Sequence, residues 1–216
     1  TGMASANVLI QTTSVVTAGT DLSLTAGGAL TVDDSDLTAT TGLASLTAQT
    51  GSLTVTTTSS IDAGTSVTGS AGTDTTIDSG SSVTGGNDVT LTAGDNLLVD
   101  SGGEIEGVTD FVLLRAGDNL HLTATSSVTA FDLITILGDF ADNDSAGTLI
   151  QMQGMLEGQR INVSGEADDD VILLQPVNLI GHTQIFGQSG SDLITIDHLT
   201  TLITSHNRPS DGVAGA

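Results

Sequence analysis

The sequence predicts an all-β protein, a single-stranded parallel β-helix (solenoid) with coils of about 22 residues. The main observation is a repeat: turn alanines recur every 22 or 23 residues, namely Ala26, Ala48, Ala71, Ala93 and Ala116. Such a fixed period is typical of proteins whose repeats stack and bury their apolar faces only against neighbouring repeats. Two further observations are short runs with strand periodicity and a composition that disfavours helices.

Each repeat contains two or three short runs in which apolar and hydroxyl residues alternate, such as Leu22-Ser-Leu24, Leu53-Thr-Val55 and Val89-Thr-Leu91. A period of two in segments rich in Thr and Val predicts half-buried strands. The runs are separated by Gly, Asn and Asp, which favour turns, and no segment combines helical spacing with caps. About nine such coils would form a rod ~40 Å long, because adjacent strands lie ~4.8 Å apart.

The composition fits this fold and excludes several classes of partner. The chain contains 27 Gly, four Phe and no Trp, Tyr or Cys, and only 13% of its residues are charged. The absence of cysteine excludes disulfides and thiolate metal sites. A formal net charge of −23 repels nucleic acid. No apolar run reaches the ~20 residues of a membrane span, so we expect no membrane insertion.

The N-terminal repeats carry the phrases LTAGGALTV, from Leu24, and LTAGDNLLV, from Leu91. In this phrasing residues 20–131 resemble the repeats of filamentous haemagglutinin-type adhesins, the long secreted proteins of Gram-negative bacteria. The resemblance implies a right-handed coil, a secreted or bacterial cell-surface location and a role as a stalk. It also implies that a host or neighbouring-cell surface protein or glycan is bound through a larger parent protein, of which this chain is a monomeric fragment.

The sequence divides the solenoid into two parts. Residues 1–131 predict regular coils rich in Thr and Gly, whereas residues 132–216 predict acidic coils with longer apolar strands. Gly165 and Gly187 are separated by 22 residues, but Gly138 precedes Gly165 by 27. The coil that follows Gly138 is therefore expected to carry an insertion of about five residues, ADNDS at positions 141–145.

Two turns of the acidic part share a pattern of glycine, polar turn, aspartate and apolar run. GQSGSDLI, from Gly187, resembles the calcium-binding nonapeptide of repeats-in-toxin proteins, and GEADDDVI, from Gly165, matches it more loosely. The resemblance implies Ca²⁺ held by aspartates and turn carbonyls of adjoining coils, although the tandem nonapeptides of that family are absent. The expected metal ligands are Asp170 and Asp192, completed by Asp168 and Glu166 and extended by Asp139, Asp142 and Asp144.

One coil should separate Asp170 from Asp192, so their carboxylates would lie ~5 Å apart. Without a cation, such a pair repels by about 1 kcal/mol at an exposed site. A hard divalent ion would turn that repulsion into a bridge. The alternative interpretation is that these aspartates are turn formers that cap the backbone.

Catalysis has little support in the sequence. Asp168 and Asp169, followed by Gly181-His182, do not have the spacing of polygalacturonases, whose Asn-Thr-Asp and Arg-Ile-Lys triplets are absent. The Thr rows resemble those of ice-binding solenoids but are explained by the β-propensity of threonine. The sequence thus predicts a non-enzymatic adhesin stalk stiffened by calcium. The alternatives are a calcium-dependent carbohydrate- or protein-binding module that uses the insertion near Asp142 and, less favoured, a polysaccharide-cleaving enzyme.

Overall fold

A computed structural model describes residues 2–141 and 146–197, which form 24 strands and no helix. The described part of the chain accordingly holds no helix that could cross a membrane. The strands are β1 (Gly2–Ala4), β2 (Val8–Ile10), β3 (Ser14–Ala18), β4 (Leu22–Ala26), β5 (Leu30–Asp33), β6 (Ser35–Ala39), β7 (Ala44–Ala48), β8 (Leu53–Thr56), β9 (Ser60–Ala63), β10 (Val67–Ala71), β11 (Thr75–Ile77), β12 (Ser82–Gly85), β13 (Val89–Ala93), β14 (Leu97–Val99), β15 (Glu104–Gly107), β16 (Phe111–Ala116), β17 (Leu120–Leu122), β18 (Ser127–Ala130), β19 (Leu133–Leu137), β20 (Leu149–Met152), β21 (Met155–Ser164), β22 (Val171–Leu174), β23 (Asn178–Phe186) and β24 (Leu193–Ile196).

The strands stack as a parallel solenoid of about nine coils with three faces. Face A contains β1, β4, β7, β10, β13, β16, β19 and the C-terminal parts of β21 and β23. Face B is the nine-stranded sheet of β2, β5, β8, β11, β14, β17, β20, β22 and β24. Face C contains β3, β6, β9, β12, β15, β18 and the N-terminal parts of β21 and β23. The chain visits the faces in the order A, B, C, which produces a coil rather than a hairpin.

The strand register confirms the predicted coil length. Ala26 pairs with Ala48, Ala48 with Ala71, Ala71 with Ala93, and Ala93 with Ala116. All five alanines are buried. Each residue therefore lies over its counterpart one coil earlier, and parallel pairing leaves the backbone groups of one coil bonded to the next.

The core consists of apolar columns that run along the solenoid. On face A, Leu91 pairs with Leu114 and Leu114 with Ile136, and all three are at most 1% exposed. Short strands with alternating burial, such as β13, direct every second side chain inward and leave Thr or Ser outside. Stacking thus converts the period of two within one strand into continuous apolar columns, which is the main source of stability in a solenoid.

The register also locates extra residues in one coil. Leu137 on face A pairs with Ser164, a step of 27 residues, whereas Leu149 on face B pairs with Val171, a step of 22. The turn between β19 and β20 is therefore five residues longer than the turn one coil later. This is the position that the glycine spacing indicated; of the predicted segment 141–145, residues 142–145 lie outside the described ranges.

A buried row of serines forms the corner between faces B and C. Backbone N–H groups of Ser14, Ser35 and Ser59 donate to the hydroxyl oxygens of the next serines along the solenoid, Ser35, Ser59 and Ser81, at 3.1–3.2 Å. The last three serines are at most 4% exposed. Each hydroxyl accepts a hydrogen bond from a backbone N–H of the preceding coil, so the row links successive coils and stabilises the corner.

Candidate functional site

The acidic corner consists of the turns that join face A to face B in the C-terminal coils, at residues 138–141 with 146–148, 165–170 and 187–192. In the middle turn Glu166 and Asp168 have φ angles of 77° and 64°. Their counterparts one coil later, Gln188 and Gly190, have φ angles of 72° and 128°. Two residues with positive φ redirect the chain from face A to face B within a short turn. Asp168 and Gly190 tolerate this conformation well, whereas Glu166 and Gln188 adopt one that is uncommon for their residue types. The repeated phrase in the sequence is therefore one turn geometry used twice.

Asp170 and Asp192 occupy the last position of these turns and lie one coil apart. The Oδ1 atom of Asp170 accepts a hydrogen bond from the backbone N–H of Thr148 at 2.9 Å. The Oδ1 atom of Asp192 accepts one from the backbone N–H of Asp170 at 3.1 Å. Each aspartate thus caps the backbone of the preceding coil, which is a contact between coils rather than within one turn.

The second carboxylate oxygens of this pair are buried. Oδ2 of Asp170 and Oδ2 of Asp192 accept no hydrogen bond from the described residues. Each lies against the glycine that opens its own turn, since a Cβ added to Gly165 or Gly187 would be 1.9 Å from the respective Oδ2. Asp170 is only 1% exposed. This burial raises the pKa of Asp170 to about 6, against the lowering effect of the Thr148 hydrogen bond.

The neighbouring acids make separate contacts. The Oε1 atom of Glu166 accepts a hydrogen bond from Nε2 of Gln188 at 3.2 Å. Asp168 is half-buried in the same turn. Asp169, which the sequence did not single out as a ligand, accepts a hydrogen bond from the backbone N–H of Ser191 at 2.7 Å. Carboxylates of this corner therefore bind the next or the preceding coil.

The structure places the outer predicted ligands as follows. Asp139 is buried in the turn that precedes the insertion, and Asp142 and Asp144 lie outside the described residues. Among residues 2–141 and 146–197, no three His, Cys, Asp or Glu side chains are grouped closely enough to hold a metal ion. The buried Oδ2 atoms of Asp170 and Asp192 could bind a cation without the loss of a hydrogen bond from the described residues. Calcium at Asp170 and Asp192 stays a prediction.

A second feature is a groove along the corner between faces C and A. Its floor consists of the small residues Gly107, Ala130 and Gly158. Phe131 stands at its centre and is 62% exposed. Its other sides are formed by Val108, Ile180, Glu106, Glu157 and Thr129, and we call the whole feature the Phe131 groove.

The Phe131 groove was not predicted from the sequence, although a signal was present. The strand register places Val108 beyond Gly86, and Phe131 beyond Val108, at the same corner position in successive coils. The corner thus changes from glycine to valine and then to phenylalanine. An apolar side chain at a turn position points into solvent, and this could have been recognised once the repeat had been aligned.

No protein-family model matches the chain, and neither a curated protein nor a solved structure matches it. The function is therefore argued from the geometry of the coils, of the acidic corner and of the Phe131 groove.

Proposed function

We propose that this chain is a stiff, elongated stalk segment of a large bacterial adhesin that is secreted or held at the cell surface. The observation that carries the proposal is the unbroken parallel pairing on all three faces, from β1 on face A to β24 on face B. Each added coil lengthens a solenoid along its axis without making it wider, because each coil contacts only its neighbours. Such a rod can hold an adhesive module away from the cell.

The surface of the described coils supports a structural role. Outward positions on the second and third coils of face A are hydroxyl residues, since Ser23 pairs with Ser45 and Thr25 with Thr47. The first coil has the exposed Met3 at the position that corresponds to Thr25. The depressions beside Phe131 have volumes of about 270 and 390 Å³ and are open to solvent. These volumes are at the lower end for small-molecule sites, which usually enclose most of the ligand.

Location and inertness towards glycans test this proposal. Intact cells that produce the protein should be labelled by an antibody against the chain, and protease added outside should remove the label. Labelling only after permeabilisation would contradict the proposed location. The purified chain should bind no glycan on an array, whereas specific binding would favour the alternative of a carbohydrate-binding module.

Calcium stiffening is the second part of the proposal. It is supported by the two unpartnered Oδ2 atoms of Asp170 and Asp192 one coil apart. If Ca²⁺ binds there, it stabilises the folded state by mass action. Thermal unfolding should then occur several degrees higher in millimolar Ca²⁺ than in EDTA, and Asp192→Asn should remove most of this difference. Equal melting temperatures in Ca²⁺ and in EDTA would eliminate the calcium site but would leave the stalk untouched.

A further inference from the structure

The Phe131 groove combines apolar and acidic groups in an arrangement that differs from the rest of the surface. Phe131, Val108 and Ile180 are 62%, 45% and 45% exposed. Exposed apolar residues that occur singly are ordinary, but a contiguous group in a groove marks an interaction site. The groove lies on the outside of the solenoid, and its geometry is independent of the proposed function.

The acidic side chains are ordered by the strand register. Glu106 pairs with Thr129 and Thr129 pairs with Glu157, so the two glutamates stand two coils apart in one outward column of face C. The separation of their Cα atoms is ~10 Å, which is twice the strand spacing. The shorter side chain of Thr129 lies between them. A cationic group above Thr129 is therefore within reach of both carboxylates.

Neither glutamate is neutralised by the described part of the chain. The one ion pair among the described residues joins Arg160 to Asp132 at 2.7 Å. The other arginine in these ranges, Arg115, lies over the ring of Phe140 with its guanidinium carbon 4.6 Å from the ring centre. Glu106 and Glu157 are both exposed and keep their charge available for a partner.

We propose that the Phe131 groove is a docking site for an arginine side chain of a basic partner protein. The methylene stem of the arginine packs along Val108 and Phe131, and its guanidinium lies above Thr129 between Glu106 and Glu157. Arginine fits better than lysine because its planar guanidinium carries five N–H donors that point to both sides and can bind two carboxylates at once. The net charge of −23 attracts basic partners over a longer range.

The proposal is tested with two capped peptides, Gly-Leu-Arg-Leu-Gly and the same peptide with citrulline, the neutral isostere of arginine. Each is titrated into the isotopically labelled full chain, and amide shifts are followed by NMR. We expect the arginine peptide to shift the amides of Gly107, Thr129 and Phe131. The citrulline peptide should bind about five- to tenfold more weakly, as expected for the loss of two exposed ion pairs.

Variants distinguish the groove from general attraction to an acidic protein. The double variant Glu106→Gln with Glu157→Gln should lower the affinity for the arginine peptide by a similar factor. Phe131→Ala should lower the affinity for both peptides. The control is Asp36→Asn with Glu104→Gln, which removes the same charge from exposed positions of face C outside the groove; this variant should bind normally. Melting temperatures establish that each variant is folded.

Two results would overturn the proposal. The first is that shifts scatter over the acidic surface and that the control variant weakens binding as much as the groove variant. The second is that cellohexaose shifts the groove amides while the arginine peptide does not, which would make the groove a carbohydrate site.

Discussion

At the scale of single residues, the repeat places the carboxylates of Asp170 and Asp192 one above the other, where they repel each other. The acidic corner shows two ways in which the fold reduces this repulsion. The backbone N–H of Asp170 donates to Asp192, and the N–H of Thr148 donates to Asp170. These donors offset part of the repulsion. The raised pKa of Asp170 provides a second means of relief, because the buried carboxyl binds a proton near pH 6.

Asp170 should make the stability of the chain depend on pH. Its pKa in the folded state is about 6, above the ordinary value of 3.8. The folded state therefore binds the proton more tightly than the unfolded state does. This tighter binding adds to the free energy of unfolding, fully below about pH 4, and the added part is lost as the pH rises through 6. In EDTA and above pH 7, Asp170→Asn should be more stable than the parent by about 1–3 kcal/mol. The free energy of unfolding of the variant should also lack the decrease between pH 4 and 6 that Asp170 causes in the parent.

Urea unfolding between pH 4 and 8 measures this effect. An Asn at position 170 keeps an oxygen that can accept from Thr148, as Asn119 does from the N–H of Leu149 at 3.0 Å. The conservative change therefore isolates the titration. The account of Asp170 is wrong if the parent and the variant keep a constant stability difference over the whole range.

Threonines with positive φ show where the local sequence conflicts with the fold. Thr57 and Thr58 have φ angles of 56° and 57°, a rare conformation for a β-branched residue. The counterpart of Thr58 one coil later is Gly80, which has a φ angle of 68° and needs no compensation. The corner is thus held by the coils on either side of it rather than by its own residues.

Thr58→Gly should leave the stability unchanged or raise it by up to about 1.5 kcal/mol. The variant removes a left-handed penalty of about 1–2 kcal/mol but adds about 0.5–1 kcal/mol of unfolded-state entropy. Thr54→Gly, in the extended strand β8, is the control and should destabilise the chain. Urea midpoints compare the two, and a larger loss in Thr58→Gly than in Thr54→Gly would contradict the assignment of strain.

At the scale of strands, stability comes from columns rather than from single strands. A strand such as β17 has three residues and buries only Leu120 and Leu122. A segment of this length has no stability by itself, because strands need several neighbours and a covered apolar face. The neighbours above and below supply both, and this explains why short, Thr-rich runs suffice.

Leu114→Ala should destabilise the chain by about 2–5 kcal/mol, since it opens a cavity in a fully buried column. Leu114 is 0% exposed and lies between Leu91 and Ile136. Leu113, the preceding residue of β16, points outward and is half-buried, so Leu113→Ala is the matched control and should cost less than half as much. Equal losses from the two changes in urea unfolding would mean that the assignment of faces on β16 is wrong.

At the scale of the whole molecule, the sequence was sufficient to predict the length of the coils and the register in which they stack. The spacing of Ala26 and its counterparts predicts which residues lie over one another, because side chains in a parallel stack repeat once per coil. The same spacing brought Asp170 and Asp192 together. It also indicated the longer coil after Gly138, since an insertion changes the spacing of glycines on both of its sides.

The remaining features depend on contacts between coils that the repeat alone does not specify. Whether Asp170 binds a cation, its own turn or the N–H of Thr148 depends on the depth of the turn, which the two positive φ angles set. Serines such as Ser59 look like ordinary turn residues in the sequence, yet they are buried and cap the neighbouring coil. The aligned repeat shows an apolar residue at the corner position of Phe131, but the groove around it forms only where two faces meet.

The most direct test of the central claim measures distances along one outward column of face B. The register places Thr31, Gln151 and Thr195 in that column, with Gln151 five coils and Thr195 seven coils beyond Thr31. The sequence contains no cysteine, so spin labels can be attached at chosen pairs of introduced cysteines and measured by pulsed electron paramagnetic resonance.

A stiff rod predicts narrow distributions centred near ~24 Å for Thr31 with Gln151 and ~34 Å for Thr31 with Thr195, because each coil adds ~4.8 Å. The increase should be proportional to the number of coils. Equal mean distances for the two pairs, or broad distributions that do not lengthen with coil number, would contradict both the stacked solenoid and its proposed role as a stalk.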